Sequence, residues 1–145
     1  MSAYWVVVAD SAKARIFSRN KKFSPLEELE TLVHPESRLH RQDLVSDRPG
    51  QVQESRTPGE SVNEEPTDPK VVEAQVFARE IAHRLRESRL SGNYSSLVLV
   101  ADPRFLGLLR KCMDEDTRRT IDQEVPKNVT REAIDRITRA IDESY

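Results

Sequence analysis

Cysteine is all but absent from this chain of 145 residues. Cys112 stands alone, which excludes an internal disulfide framework and any zinc site built from several thiolates of one chain. A single thiol fits a reducing compartment. Long apolar runs are missing too. The longest, Tyr4 to Ala9, falls far short of the ~20 residues of a membrane-spanning helix, and no basic residue precedes it as a secretory signal requires. The expectation is a cytoplasmic protein that does not insert into a membrane. Glycine is scarce at four residues, and neither a Gly-x-Gly-x-x-Gly nor a Walker-type spacing occurs, so a phosphate cradle made by a glycine-rich loop has no support. A nucleophile elbow around serine is likewise lacking. Nor does one sign of charge dominate. Lys and Arg number 23 against 25 Asp and Glu, a net charge of −2, which gives no broad basic footprint for nucleic acid. Within the cations, however, Arg outnumbers Lys by 17 to 6, and guanidinium forks suit bidentate contacts to phosphate.

What is present reads as one domain over residues 1–145. A chain of this size buries roughly 70% of the surface its unfolded form exposes, enough to fold without metal, disulfide or partner. Tyr4-Trp5-Val6-Val7-Val8-Ala9 is unbroken apolar and rich in β-branched residues, which predicts a strand covered on both faces. Residues 14–19 and 26–33, separated by the break at Asn20-Lys21-Lys22, complete a three-strand antiparallel meander. Residues 35–68 show no sustained apolar period and are punctuated by Pro35, Pro49, Gly50, Pro58, Gly59 and Pro66. They form one long loop, and loops beyond ~15 residues in a compact domain are usually functional or disordered. Asp68-Pro69 supplies a cap and a proline at the first helical position, and Ala74, Phe77, Ala78, Ile81 and Leu85 then recur at helical spacing to about residue 89. Residues 97–101 are a second buried strand. Asp102-Pro103 repeats the cap signal before a helix carrying Phe105, Leu108, Leu109 and Cys112 on one face. A helical turn over 114–119, a strand over Ile121–Val125 and a last helix follow, the last capped by Thr130 and buried through Ala133, Ile134, Ile137, Ala140 and Ile141. The order βββαβαβα predicts an α/β fold, a single three-layer domain around a mixed five-stranded sheet of ribonuclease-H-like topology.

Chain direction then says where residues meet. If the first strand points up, the third, fourth and fifth do too, so Asp10, His34, Asp102 and Lys127 share the upper edge. Open α/β sheets bind ligands beyond the carboxyl ends of their parallel strands. The loop over 35–68 begins and ends at that edge and would lie over it as a lid.

Two chemistries compete there. Asp10 and Asp102, at the tops of neighbouring strands, would share a magnesium ion with Glu80 or Asp135 completing a nuclease-like set. That is the one case in which a cofactor is expected. The same residues have plainer explanations that weigh more: Asp102 as a helix cap, Asp10 as a turn residue, Glu80 with Arg84 and Asp135 with Arg139 as ordinary surface pairs four residues apart. On that reading no residue is catalytic and no cofactor is needed. His34, His40 and His83 lack ligand-like spacing, and Cys112 lies on an apolar helix face as a core residue. The second chemistry is phosphate recognition. Arg48 and Arg56 on the loop, Arg104 and Lys127 beyond the last two strands, and His34 at the same edge would together meet an RNA backbone. Asp47, Asp102 and Glu124 oppose them, which favours structure-selective over tight, sequence-blind binding.

Several segments taken together resemble one family. Trp5-Val6-Val7-Val8-Ala9-Asp10-Ser11-Ala12-Lys13-Ala14-Arg15-Ile16-Phe17, Leu32-Val33-His34-Pro35-Glu36, Asp43-Leu44-Val45-Ser46-Asp47-Arg48-Pro49-Gly50, Asp68-Pro69-Lys70, and Leu97-Val98-Leu99-Val100-Ala101-Asp102-Pro103-Arg104-Phe105-Leu106-Gly107 closely resemble the bacterial family labelled host attachment protein, or protein required for attachment to host cells. Glu124-Val125-Pro126-Lys127-Asn128-Val129-Thr130 fits it more loosely. The resemblance covers nearly the whole chain and implies a fold similar to the middle domain of archaeo-eukaryotic peptide-chain release factors, itself a ribonuclease-H-like sheet. That domain acts through a Gly-Gly-Gln tip, a tripeptide this sequence lacks, and the resemblance brings no defined set of metal-binding acids. The expected function is a cytoplasmic binding module, not an enzyme, that engages RNA or the ribosome in a translation-related role. A metal-dependent nuclease and a host-cell attachment factor are the alternatives.

Overall fold

Two apolar hexapeptides set the architecture. Tyr4–Ala9 (β1) and Ser96–Ala101 (β4) run parallel at the centre of one sheet, Tyr4 opposite Ser96 and Ala9 opposite Ala101. A computed structural model describes residues 3–34 and 69–144. Around the central pair lie Lys13–Arg19 (β2) and Glu27–Val33 (β3) on one side and Ile121–Val125 (β5) on the other, in the order β3-β2-β1-β4-β5. β1, β2 and β3 are antiparallel in sequence, while β1, β4 and β5 are parallel.

Alternation explains why β1 and β4 need no polar residue. Trp5, Val7, Ala9, Leu97, Leu99 and Ala101 face Pro69–Leu90 (α1) and Pro103–Cys112 (α2), whose Phe77, Ile81, Leu85, Phe105 and Leu109 complete that half of the core. Val6, Val8, Val98 and Val100 face the other way, onto Ile137 and Ile141 of Ile134–Asp142 (α4), with Phe17 and Leu26 beside them. A strand with a helix layer on each face must be apolar at every position. β3, at the sheet edge, is mostly exposed. A short helix, Glu115–Arg118 (α3), leads into β5 and is capped by Asp114, whose Oδ2 accepts from the Thr117 amide at 3.3 Å. After α1 the backbone reverses at Gly92, which takes a φ of 77°, a left-handed helix stop that glycine adopts without steric cost.

The last helix begins later than the sequence pattern indicates. Thr130 does not cap it. Its Oγ1 donates to Asp10 Oδ2 at 2.8 Å, while Arg15 Nη1 takes the carbonyls of Thr130 and Glu132 at 2.9 Å each. These bonds hold residues 130–132 against the β1–β2 turn. α4 therefore starts at Ile134, with Ala133 as an N-cap that makes no side-chain bond. Ala133 and Ile134 are accordingly exposed, and only Ile137, Ala140 and Ile141 are buried. Arg84 also differs from expectation. Its Nε and Nη2 reach across to Glu30 of β3 at 2.7 Å each, rather than to Glu80 four residues back. The two parallel charge-assisted bonds make this a bidentate fork, which fixes the guanidinium in one geometry.

Candidate functional site

The carboxyl ends of β1, β3, β4 and β5 share one edge, and the chain emerges there at Asp10, His34, Asp102 and Lys127. Each of these residues has a definite place. Asp10 closes the β1–β2 turn, Oδ1 accepting from the amides of Ala12 and Lys13 at 2.9 Å each. Asp102 is the N-cap of α2, its Oδ1 accepting from the Phe105 amide at 3.0 Å. Among the described residues, no three His, Cys, Asp or Glu side chains are grouped as a metal ion would need. His34 is 2% exposed, stacks on Phe77 with ring centroids 5.1 Å apart, and has Nε2 2.8 Å from Glu73 Oε1. It packs between β3 and α1 rather than facing the open edge. Lys127 is exposed on the segment after β5. Arg48 and Arg56 lie outside the described residues, as does the whole proposed lid over 35–68.

On the α1–α2 side of this edge a cleft of about 1010 Å³ opens between the first turns of α1, the outer face of α2 and the β1–β2 turn at Ser11. Five cations line it: Lys70, Arg104, Arg110, Lys111 and Arg118. Among the described residues, Asp102 is the one carboxylate that lines it. The floor is apolar, made by Val71, Ala74, Phe105 and Leu108 with Gly107. Local sequence explains this arrangement. Arg104, Gly107, Leu108 and Lys111 are spaced i, i+3, i+4 and i+7, so they fall on one helix face. Leu109 points the other way, into the core.

The cations are not equivalent. Arg110 Nη1 is 2.8 Å from Glu124 Oε1, and Arg118 Nη1 donates to the carbonyl of Met113 at 2.9 Å. Both are positioned by the protein itself. Arg104 and Lys111 have no ion pair among the described residues and are exposed. The first turn of α1, from which Lys70 and Val71 enter the cleft, contains no acidic residue, so the positive end of the helix dipole adds to the same field. An excess of cations over carboxylates in a concave site, with amide dipoles of the same sign, concentrates anions. The apolar floor adds room for a flat uncharged group.

Sequence reasoning identified Arg104 and missed the other four. Arg104 follows directly from the end of β4, whereas Lys70 and Arg118 depend on how α1 and α3 pack. Lys111 carried a signal in its spacing from Arg104.

A family model described as "Protein required for attachment to host cells" matches residues 5–141. No curated protein matches the chain. Among solved structures, the chain is similar to an archaeal translation termination factor, at 11% identity and a TM-score of 0.48 over 85% of this chain and 30% of that one. It is also similar to a structure described as an archaeal protein, at 11% identity and a TM-score of 0.46 over 97% of this chain and 36% of that one. The chain thus spans about a third of the length of these solved structures. Among the described residues no helix is long and apolar enough to cross a membrane.

Proposed function

The chain belongs to the family of proteins required for attachment to host cells, and we propose that it is a cytoplasmic binding module whose cleft holds RNA, alone or within the ribosome. The observation that carries this reading is the cleft's charge: among the described residues Arg104 and Lys111 line it exposed and in no ion pair, and Asp102 is the one carboxylate beside them, in a protein whose net charge is −2. A basic concavity on an overall acidic molecule is a local feature that bulk composition does not explain. Arg104, the one cleft arginine that makes no side-chain bond to another described residue, has a planar fork that pairs with two phosphate oxygens at once. Asp102 limits the field and disfavours indiscriminate binding to any polyanion.

The test is RNA affinity across a salt series, together with co-sedimentation with ribosomes. The parent should bind at low salt. An Arg104→Ala, Lys111→Ala double variant should bind more weakly, with a salt dependence flatter by about 0.7 log units per lost phosphate contact on a single strand. Arg48→Ala and Arg56→Ala belong in the same series as the loop residues of the proposed interface. Failure of the parent to bind RNA or ribosomes at low salt, or equal binding by the double variant, removes this reading. The family's description supports a second reading, an attachment factor at the cell surface. Protease treatment of intact cells separates the two, since digestion of the protein from outside requires the second.

A further inference from the structure

Gly107 is out of place for a helix interior. Glycine there is less favourable than alanine, because it has more backbone freedom to lose. Such a glycine is usually explained by another element packing too close for a Cβ. Among the described residues nothing gives that explanation at Gly107, where an added Cβ would meet none of their atoms within 4 Å. The open space beside it is the cleft. Arg104 stands one turn before Gly107 and Lys111 one turn after, so at a rise of about 1.5 Å per residue their Cα atoms are roughly 10 Å apart along α2. Between them lies a shallow apolar strip of Gly107 and Leu108, faced by Val71 and Ala74 of α1. Cations at both ends and a low, uncharged floor in the middle match an unstacked nucleotide, with its base on the floor and its flanking phosphates at the two ends.

We propose that this cleft takes single-stranded RNA and holds one extruded base over Gly107 between phosphates bound by Arg104 and Lys111. The inference rests on the RNA reading above and narrows it. Duplex RNA displays phosphates but keeps its bases stacked, so it satisfies the cations and leaves the floor empty. A flat base lying on apolar surface contributes independently of its phosphates, through burial of its face. A side chain at position 107 would occupy the place of the base while leaving both cations untouched.

The experiment compares three probes by fluorescence anisotropy: a short mixed-sequence single-stranded oligoribonucleotide, the same sequence as a duplex, and an abasic backbone of equal length. Each is titrated with the parent and with Gly107→Leu, whose thermal midpoint is measured in parallel. The parent should prefer the single strand over both other probes by about fivefold, the scale of burying roughly 40 Å² of a base face on an aliphatic floor. Gly107→Leu should lose that preference, keep its affinity for the abasic backbone, and melt no lower than the parent. Gly107→Ala should give a smaller loss in the same direction with a raised midpoint. Equal binding of duplex or abasic probe by the parent overturns the base pocket while leaving RNA binding in place. Undiminished preference in Gly107→Leu overturns it too. Absence of binding to all three probes overturns the RNA reading itself, and this inference with it.

Discussion

The edge beyond β1 and β4 has two sides that treat charge in opposite ways. On the α4 side, Arg15 forks onto Glu28 at 3.1 and 3.2 Å, donates to two backbone carbonyls and lies over the Phe17 ring at 5.2 Å. Asp10 there accepts from two amides and the Thr130 hydroxyl. On the α1–α2 side, Arg104 and Lys111 stand exposed with no ion pair among the described residues. One side uses its charges to join segments more than a hundred residues apart in the chain. The other leaves them available. Hydrogen bonds already made within the fold cannot be offered to a ligand without loss of stability, so the candidate site lies where the charges are unspent.

The largest expected effect tests the first side. Arg15→Ala removes the bonds to Glu28, Thr130 and Glu132 and should lower stability by about 2–3 kcal/mol, read as the shift in a urea unfolding midpoint, with RNA affinity unchanged. Arg104→Ala should do the reverse, moving stability by no more than about 0.5 kcal/mol while weakening RNA binding. Matching stability losses in the two variants would break the comparison. Acid gives an independent readout. The Arg15 guanidinium donates to Glu28 and holds its carboxyl below the ordinary value of 4.5. A carboxylate with a depressed folded value contributes stability that is present above the unfolded value and lost as the pH falls through the folded one. The parent should therefore lose stability on acidification in that window, and Arg15→Ala should lose less there.

The same contrast explains what was legible in the sequence. β1 and β5 occur over the residues expected, because their signal is local: apolar and β-branched runs bounded by turn residues. The Asp102-Pro103 start of α2 was legible for the same reason. The start of α4 was not. Thr130 has the chemistry of a helix cap, and only its approach to Asp10 in the β1–β2 turn and Arg15 on β2, far away in the sequence, diverts it. Arg84 and Glu30 are separated by 54 positions, beyond the reach of any periodicity. Nor can sequence alone separate Arg15, within β2, from Arg104, just after β4, by whether another segment folds over them. Lys111 was legible in principle, seven residues from Arg104 on a helix whose opposite face was already assigned to the core.

Asp102 belongs to both sides at once, and it carries the smallest predicted effects and the sharpest distinction. Its Oδ1 caps α2, and its charge is the one negative charge among the described residues that line the cleft. Asn caps a helix about as well as Asp, whereas Ala loses ~1 kcal/mol. Asp102→Ala should therefore lower the unfolding midpoint measurably, and Asp102→Asn by a few tenths of a kcal/mol at most. Both substitutions remove the same repulsion toward phosphate. Unit charges 4 Å apart interact by ~1 kcal/mol in water, and salt screens them. RNA affinity should accordingly rise by a factor of about 3 to 5 in each variant at low salt, and by less as salt increases. The two readouts separate the cap from the charge. If Asp102→Asn instead binds RNA more weakly than the parent, Asp102 contacts the ligand directly, and the cleft recognises its target through a carboxylate acceptor as well as through its cations.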